Sequence, residues 1–109
     1  MSSPQRPRAL AHLADVTPKL VELTNDVVFG DVWERPELSK RDRSLMTIAV
    51  LTALYRSDQL RTHIGRGLDN GLSRDEIAEI ITHVAFYAGW PTAVNAANLA
   101  KSVFEERGV

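Results

Sequence analysis

Between Ser57 and Pro91 the chain reads SDQLRTHIGRGLDNGLSRDEIAEIITHVAFYAGWP, two amphipathic stretches separated by Asn70-Gly71-Leu72-Ser73. The second stretch opens with Ser73-Arg74-Asp75-Glu76. This is a complete capping box, in which the serine accepts from the backbone three residues on and the glutamate reaches back to the serine N–H. From there Ile77, Ile80, Ile81, Val84, Ala85 and Ala88 recur at helical spacing, the mark of a helix with one apolar face. Leu60, Ile64, Gly67 and Leu68 form the matching stripe of the first stretch. An antiparallel pair turning near Leu72 would set residues whose numbers sum to about 144 side by side. His63 would then lie beside Ile81 and His83 beside Arg61, an offset of roughly 3 Å at the helical rise. The sequence thus predicts a central antiparallel helical hairpin whose two histidines face one space, provided both point the same way.

The rest of the chain also reads as helix. Leu10, Leu13 and Ala14 begin a helical pattern near Ala9, and Thr17-Pro18 is a cap followed by a first-turn proline, with the helix ending at Gly30. Pro36 pushes Arg35 toward an extended conformation, so the segment around Trp33 is irregular. Trp33 is then either a packing anchor or one wall of a pocket. Ser39-Lys40-Arg41-Asp42 resembles a capping box with Asp in place of Glu. The following run, LMTIAVLTALY from Leu45 to Tyr55, is apolar almost all round, which predicts burial on both sides, one of them against another subunit. Phe86 falls on the polar side of its helix, beside Glu79, and predicts a partner surface. Gly89 stops that helix, Pro91 starts the next, and Ala93 to Phe104 complete this last helix, which ends near Gly108. Period-two alternation is missing throughout. The expectation is an all-α fold of about five to six helices, with residues 1–8 as a flexible lead-in and 9–109 as a single domain.

Composition narrows the function. The 109 residues carry 13 Lys and Arg against 14 Asp and Glu, a balance that favours neither nucleic acid nor anionic membrane as partner. No cysteine is present, which removes thiol nucleophiles, disulfides and zinc–thiolate sites. A cytoplasmic protein is expected. Gly65 and Gly67 inside a helix point to a close approach by a backbone or ligand, or to a tolerated weakness. Metal-ligand clusters and phosphate-cradling loops are not in the pattern. What remains is Arg35, Arg43, Ser44, Gln59, His63, His83 and Tyr87. Histidines exchange protons near neutral pH and arginines hold carboxylates in a bidentate fork, so the set suits a small anionic substrate and proton transfer. Each residue also has a plain structural alternative: a satisfied core histidine, a surface ion pair, an interface tyrosine.

At these residues the chain resembles the carboxymuconolactone decarboxylase family. The matching pieces are GDVWERP (Gly30–Pro36), RSLMTIAVLTAL (Arg43–Leu54), QLRTH (Gln59–His63), NGLSRDEI (Asn70–Ile77) and HVAFYAGWP (His83–Pro91). The resemblance implies the all-α fold shared with alkyl hydroperoxidase D-like proteins and a homo-oligomer, trimer or hexamer, with pockets near subunit boundaries. It implies decarboxylation of 4-carboxymuconolactone in aromatic-acid breakdown without metal or organic cofactor. It also implies a site drawn from Trp33, Arg35, Arg43, Ser44, His63 and His83. Family members often carry Glu before L-R-x-H where this chain has Gln59, a neutral amide that cannot act as a base. The hydroperoxidase relatives place a C-x-x-C pair where Arg56 and Gln59 stand, so thiol-based peroxide reduction is not expected. The other readings are an enzyme for another small acid or lactone, or a non-catalytic oligomeric binding protein.

Overall fold

The computed structural model describes residues 8–109; nearly all of the expected lead-in lies outside them. Contacts divide the chain after Ser39 into two units, taken here in turn.

In the first unit a 3-10 turn over Ala11–Leu13 precedes α1, Pro18–Leu23, with the proline in its first turn as expected. The helix does not run on regularly to Gly30. From Thr24 to Phe29 it widens into a π-helical turn. Two side chains explain the change: Thr24 Oγ1 donates to the Leu20 carbonyl at 2.7 Å and Asn25 Nδ2 to the Val21 carbonyl at 2.9 Å. Such bonds compete with the backbone amides for the same acceptors. Asn25 also receives the Ala9 N–H and donates back to the Ala9 carbonyl, at 2.8 and 2.9 Å. A 3-10 turn over Val32–Glu34 follows, and Arg35 is extended before Pro36, with φ −69° and ψ 138°.

The second unit contains α2 (Lys40–Ala53), α3 (Ser57–Asp69), α4 (Arg74–Ala88) and α5 (Trp90–Arg107). Five α-helices and no strand occur among the described residues, so the all-α reading holds. The Ser73 capping box is complete: Glu76 N–H donates to Ser73 Oγ at 3.0 Å and Ser73 N–H to Glu76 Oε1 at 2.9 Å. Ile48, Leu60, Ile64, Leu72, Ile77 and Phe104 lead the core. On α5 the buried face is Ala93, Ala96 and Ala100, small enough to let the helices close in.

The partners of α3 and α4 differ from those the short turn suggests. α2 packs on α3 and on α4, α5 likewise packs on both, and α3 touches α4 only sparsely. Specific contacts give the registers. Asn70 Nδ2 donates to Ser44 Oγ at 2.9 Å, and a Cβ on Gly67 would come within 2.8 Å of Ile48 Cδ1, which makes α2 and α3 antiparallel neighbours. Arg41 pairs with Glu76 to join α2 and α4. On its other side α3 meets α5 through Arg61–Glu106 at 3.0 Å and Asp69–Arg107 at 2.7 Å. The two arms of the hairpin therefore follow one another in sequence but each rests on α2 and α5. Apolar area decides this: facing α2 and α5 lets each arm bury its stripe twice over.

Both helical glycines are approached closely, by side chains rather than by the backbone or ligand expected. At Gly65 a Cβ would meet Arg107 Nη2 at 2.7 Å, and at Gly67 the Ile48 and Leu72 side chains at 2.8 and 3.1 Å.

Candidate functional site

Helix α3 has two working edges. Ser57, Arg61, Gly65 and Asp69, spaced one turn apart, meet α5. Gly67 and Asn70 meet α2, and His63, one turn before Gly67, falls on that same edge. The ring is half-buried, and its inner nitrogen, Nδ1, has almost no exposed surface. Burial, with a contribution from the Arg66 guanidinium one turn on, pushes the imidazole from its ordinary 6.5 down to about 4. Loss of water around a cation that would form inside the protein favours the neutral ring. Gln59, exposed one turn before His63, brings no charge to oppose that shift. At neutral pH His63 is an uncharged imidazole with one N–H to donate and one lone pair to accept.

Two other expected residues lie along α2. Ser44 is fully buried and its hydroxyl accepts from Asn70, so it ties α2 to the end of α3. Arg43 is half-buried next to it, with its backbone carbonyl accepting the Thr47 hydroxyl at 2.8 Å.

His83 occupies a different environment. It is exposed on α4, two turns beyond the Glu76 that pairs with α2, and its ring rests on Tyr87 with centroids 5.0 Å apart. Tyr87 is 81% exposed. The two hairpin arms across which the imidazoles were expected to meet touch only sparsely. His63 is on the α2-facing edge of α3, His83 is on α4, and α2 packs against both helices.

Around His83 lies an aromatic ridge. Phe86 is 74% exposed and stands edge-on to Trp90 at 5.5 Å. Tyr55, Trp90, Pro91, Val94, Asn95 and Asn98 line an open groove of about 420 Å³ nearby. Along the outer side of α2, Met46, Val50 and Leu54 are each more than half exposed while Ser44, Ile48 and Thr52 face inward. The run from Leu45 to Tyr55 is thus buried on one side only within this chain.

Trp33 and Arg35 belong to the first unit. There Trp33 packs on Phe29 at 5.8 Å, and Arg35 pairs with Glu37 at 3.4 Å. Asn70 and Thr52 are the residues that sequence reasoning passed over. Asn70 was read as a turn residue, and Thr52 was lost inside an apolar run, though its i, i+4 relation to Ile48 and Ser44 was visible.

Comparison with known proteins adds what geometry alone does not carry. Residues 18–102 match the profile of the family described as "Carboxymuconolactone decarboxylase family". The chain is 40% identical over 102 residues to a 4-carboxymuconolactone decarboxylase of Acinetobacter baylyi, covering 94% of this chain and 76% of that protein. It is 33% identical over 75 residues to a nitrosuccinic acid decarboxylase of Metarhizium robertsii, covering 69% of this chain and 52% of the other. An uncharacterized 15.0 kDa protein of Paracoccus denitrificans is 32% identical over 80 residues, with 72% and 60% of the two chains covered.

Proposed function

Since the chain belongs to the carboxymuconolactone decarboxylase family, we propose that it is a cofactor-independent decarboxylase for a small carboxylated lactone of the 4-carboxymuconolactone type. The observation that carries the chemistry is the half-buried, neutral imidazole of His63 on the α2–α3 seam. The likeness to the Acinetobacter decarboxylase over 94% of the chain supports the substrate class.

Loss of carbon dioxide breaks the bond between the carboxyl carbon and the ring, and the electron pair left behind spreads into the lactone as a dienolate. Such a reaction needs a cation to orient the anionic substrate, a donor for the developing oxyanion and a proton for carbon. Arg43 holds the carboxylates. His63, expected as the main acid–base residue, serves as the oxyanion donor: its neutral ring turns an N–H to the oxyanion, a donor worth more in a half-buried site than in water. A proton drawn from solvent completes the product at carbon. His83 with Tyr87 serves as the second donor. Both side chains are exposed, and that service is to the site of a neighbouring subunit in a trimer or hexamer. The outer faces of Met46, Val50 and Leu54 and of Phe86 and Trp90 support such an assembly. Gln59, one turn from His63, hydrogen-bonds substrate without taking its proton. Ser44, spoken for by Asn70, supports the seam from below.

The likeness to nitrosuccinic acid decarboxylase favours a second reading, the same decarboxylation on another small acid. The deciding experiment is direct: incubate the protein with 4-carboxymuconolactone and follow carbon dioxide and enol-lactone formation. Turnover above the spontaneous rate carries the first reading. Saturable binding without turnover moves the protein to the class of oligomeric binders, and absence of both overturns the substrate assignment.

A further inference from the structure

Thr52 is fully buried on the inner side of α2, and its hydroxyl makes no hydrogen bond among the described residues. A helical threonine has an easy way out of that position, by donating to the carbonyl four residues back. Thr24, Thr47 and Thr82 all take it, at 2.7, 2.8 and 2.9 Å. Thr52 does not, so its Oγ1 is turned away from the Ile48 carbonyl. A buried hydroxyl without a partner is costly, and proteins rarely leave one so.

The register of the seam identifies what stands opposite. Ser44 meets Asn70, and Ile48 meets Gly67. One turn up α2 from Ile48 is Thr52, and one turn back along α3 from Gly67 is His63. The seam therefore climbs in rungs, Ser44–Asn70, Ile48–Gly67, Thr52–His63, and the ring nitrogen shielded from solvent on the last rung is Nδ1. We propose that Thr52 is the positioning residue of His63. A small turn of the threonine side chain lets its hydroxyl donate to Nδ1, which fixes the proton on Nε2 and aims that N–H outward to the substrate oxyanion. This deepens the reading of His63 as the donor of the site and rests on it. Which nitrogen of a neutral imidazole keeps its proton is set by the bond the other one makes.

The test is nitrogen-15 NMR of the imidazole in the full-length protein, as wild type, Thr52→Val and Thr52→Ser. Valine keeps the shape and removes the hydroxyl; serine restores it. In wild type the Nε2–H tautomer of His63 should exceed the other about tenfold, the bias that one ordinary hydrogen bond supplies. Thr52→Val should bring the two near parity and lower turnover of 4-carboxymuconolactone with little change in KM, and Thr52→Ser should recover both. If Thr52→Val leaves the tautomer ratio as in wild type, the proposal is overturned. So it is if Thr52→Val is the more stable protein in denaturant with an unchanged His63 signal, since that marks a hydroxyl with no partner. The NMR readout needs no substrate, so a protein that never turns over carboxymuconolactone would overturn the decarboxylase reading and leave the Thr52 result standing.

Discussion

The two histidines carried by α3 and α4 have the same side chain and opposite surroundings. His63 lies half inside the α2–α3 seam, and burial with the nearby Arg66 charge pushes its ring down to about 4. His83 stands in solvent against Tyr87 at 5.0 Å, on a ridge that continues through Phe86 and Trp90. The inner position shields one ring nitrogen, Nδ1, from solvent. The outer position fixes neither and needs a partner to become a site. A histidine is thus made reactive here by the helix packed against it more than by its place in the chain.

The sharpest way to break this contrast is to remove each ring separately. His63→Gln should lower turnover by at least about 10²-fold, the usual scale for a lost oxyanion donor, while His83→Gln should cost under about tenfold in the same assay. Equal losses would mean that the inner and outer positions act as one unit, and a His63→Gln protein with unchanged turnover would end the role assigned to it. A second cut addresses the outer region alone. Phe86→Ser with Met46→Ser should leave the helical circular dichroism intact and shift the mass found by light scattering toward one subunit, because both side chains are exposed and outside the core. A wild-type protein that is already a monomer would leave the outer apolar faces without their proposed purpose.

How far the sequence could be read follows from the same contrast. The Ser73 capping box, the Pro18 helix start, the extended Arg35 and the exposed Phe86 were legible because each is settled by a few neighbouring residues. The α4 stripe from Ile77 to Ala85 was legible for the same reason. What failed was pairing. The short turn after α3 suggested that α3 and α4 face one another, but a turn fixes only where a helix begins. Which helix it packs against depends on apolar faces far away in sequence, and here α2 and α5 offered the better ones. The histidine pair was argued from that helix pair and lost its argument with it. The π-helical turn after Leu23 was missed because it depends on Thr24 and Asn25 taking particular carbonyls, which residue types permit but do not demand.

Charge one turn from His63 offers a finer handle on the inner position. Gln59→Glu places a carboxylate beside a ring that is held neutral by burial, and an opposite charge favours the protonated form. The His63 midpoint, followed by proton NMR, should rise from about 4 toward its ordinary value of about 6.5. The sign for stability follows. In wild type the unfolded chain takes up a proton at His63 below about 6.5 that the folded chain refuses until about 4. Stability from this residue is therefore complete above that window and is lost as pH falls through it. Gln59→Glu should shrink that acid-side loss, and an unmoved midpoint would mean that the two side chains point apart.

The smallest effect tests whether the seam and the α4 start are independent. Glu76 serves two bonds at once: Oε1 accepts the Ser73 N–H at 2.9 Å and Oε2 pairs with Arg41 of α2. Glu76→Gln keeps an acceptor for the cap but gives up the ion pair. Both partners of that pair are partly exposed, so its loss should cost under about 1 kcal/mol in urea unfolding and fade with added salt. Glu76→Ala removes the cap acceptor as well and should add about 0.5–1 kcal/mol that salt does not touch. Neither change reaches His63, which sits on the far helix of the α2–α3 pair, so its midpoint should stay where it is. If Glu76→Gln moves that midpoint, α2 transmits strain from its α4 contact to its α3 contact, and the inner position depends on the whole ring of helices rather than on the seam alone.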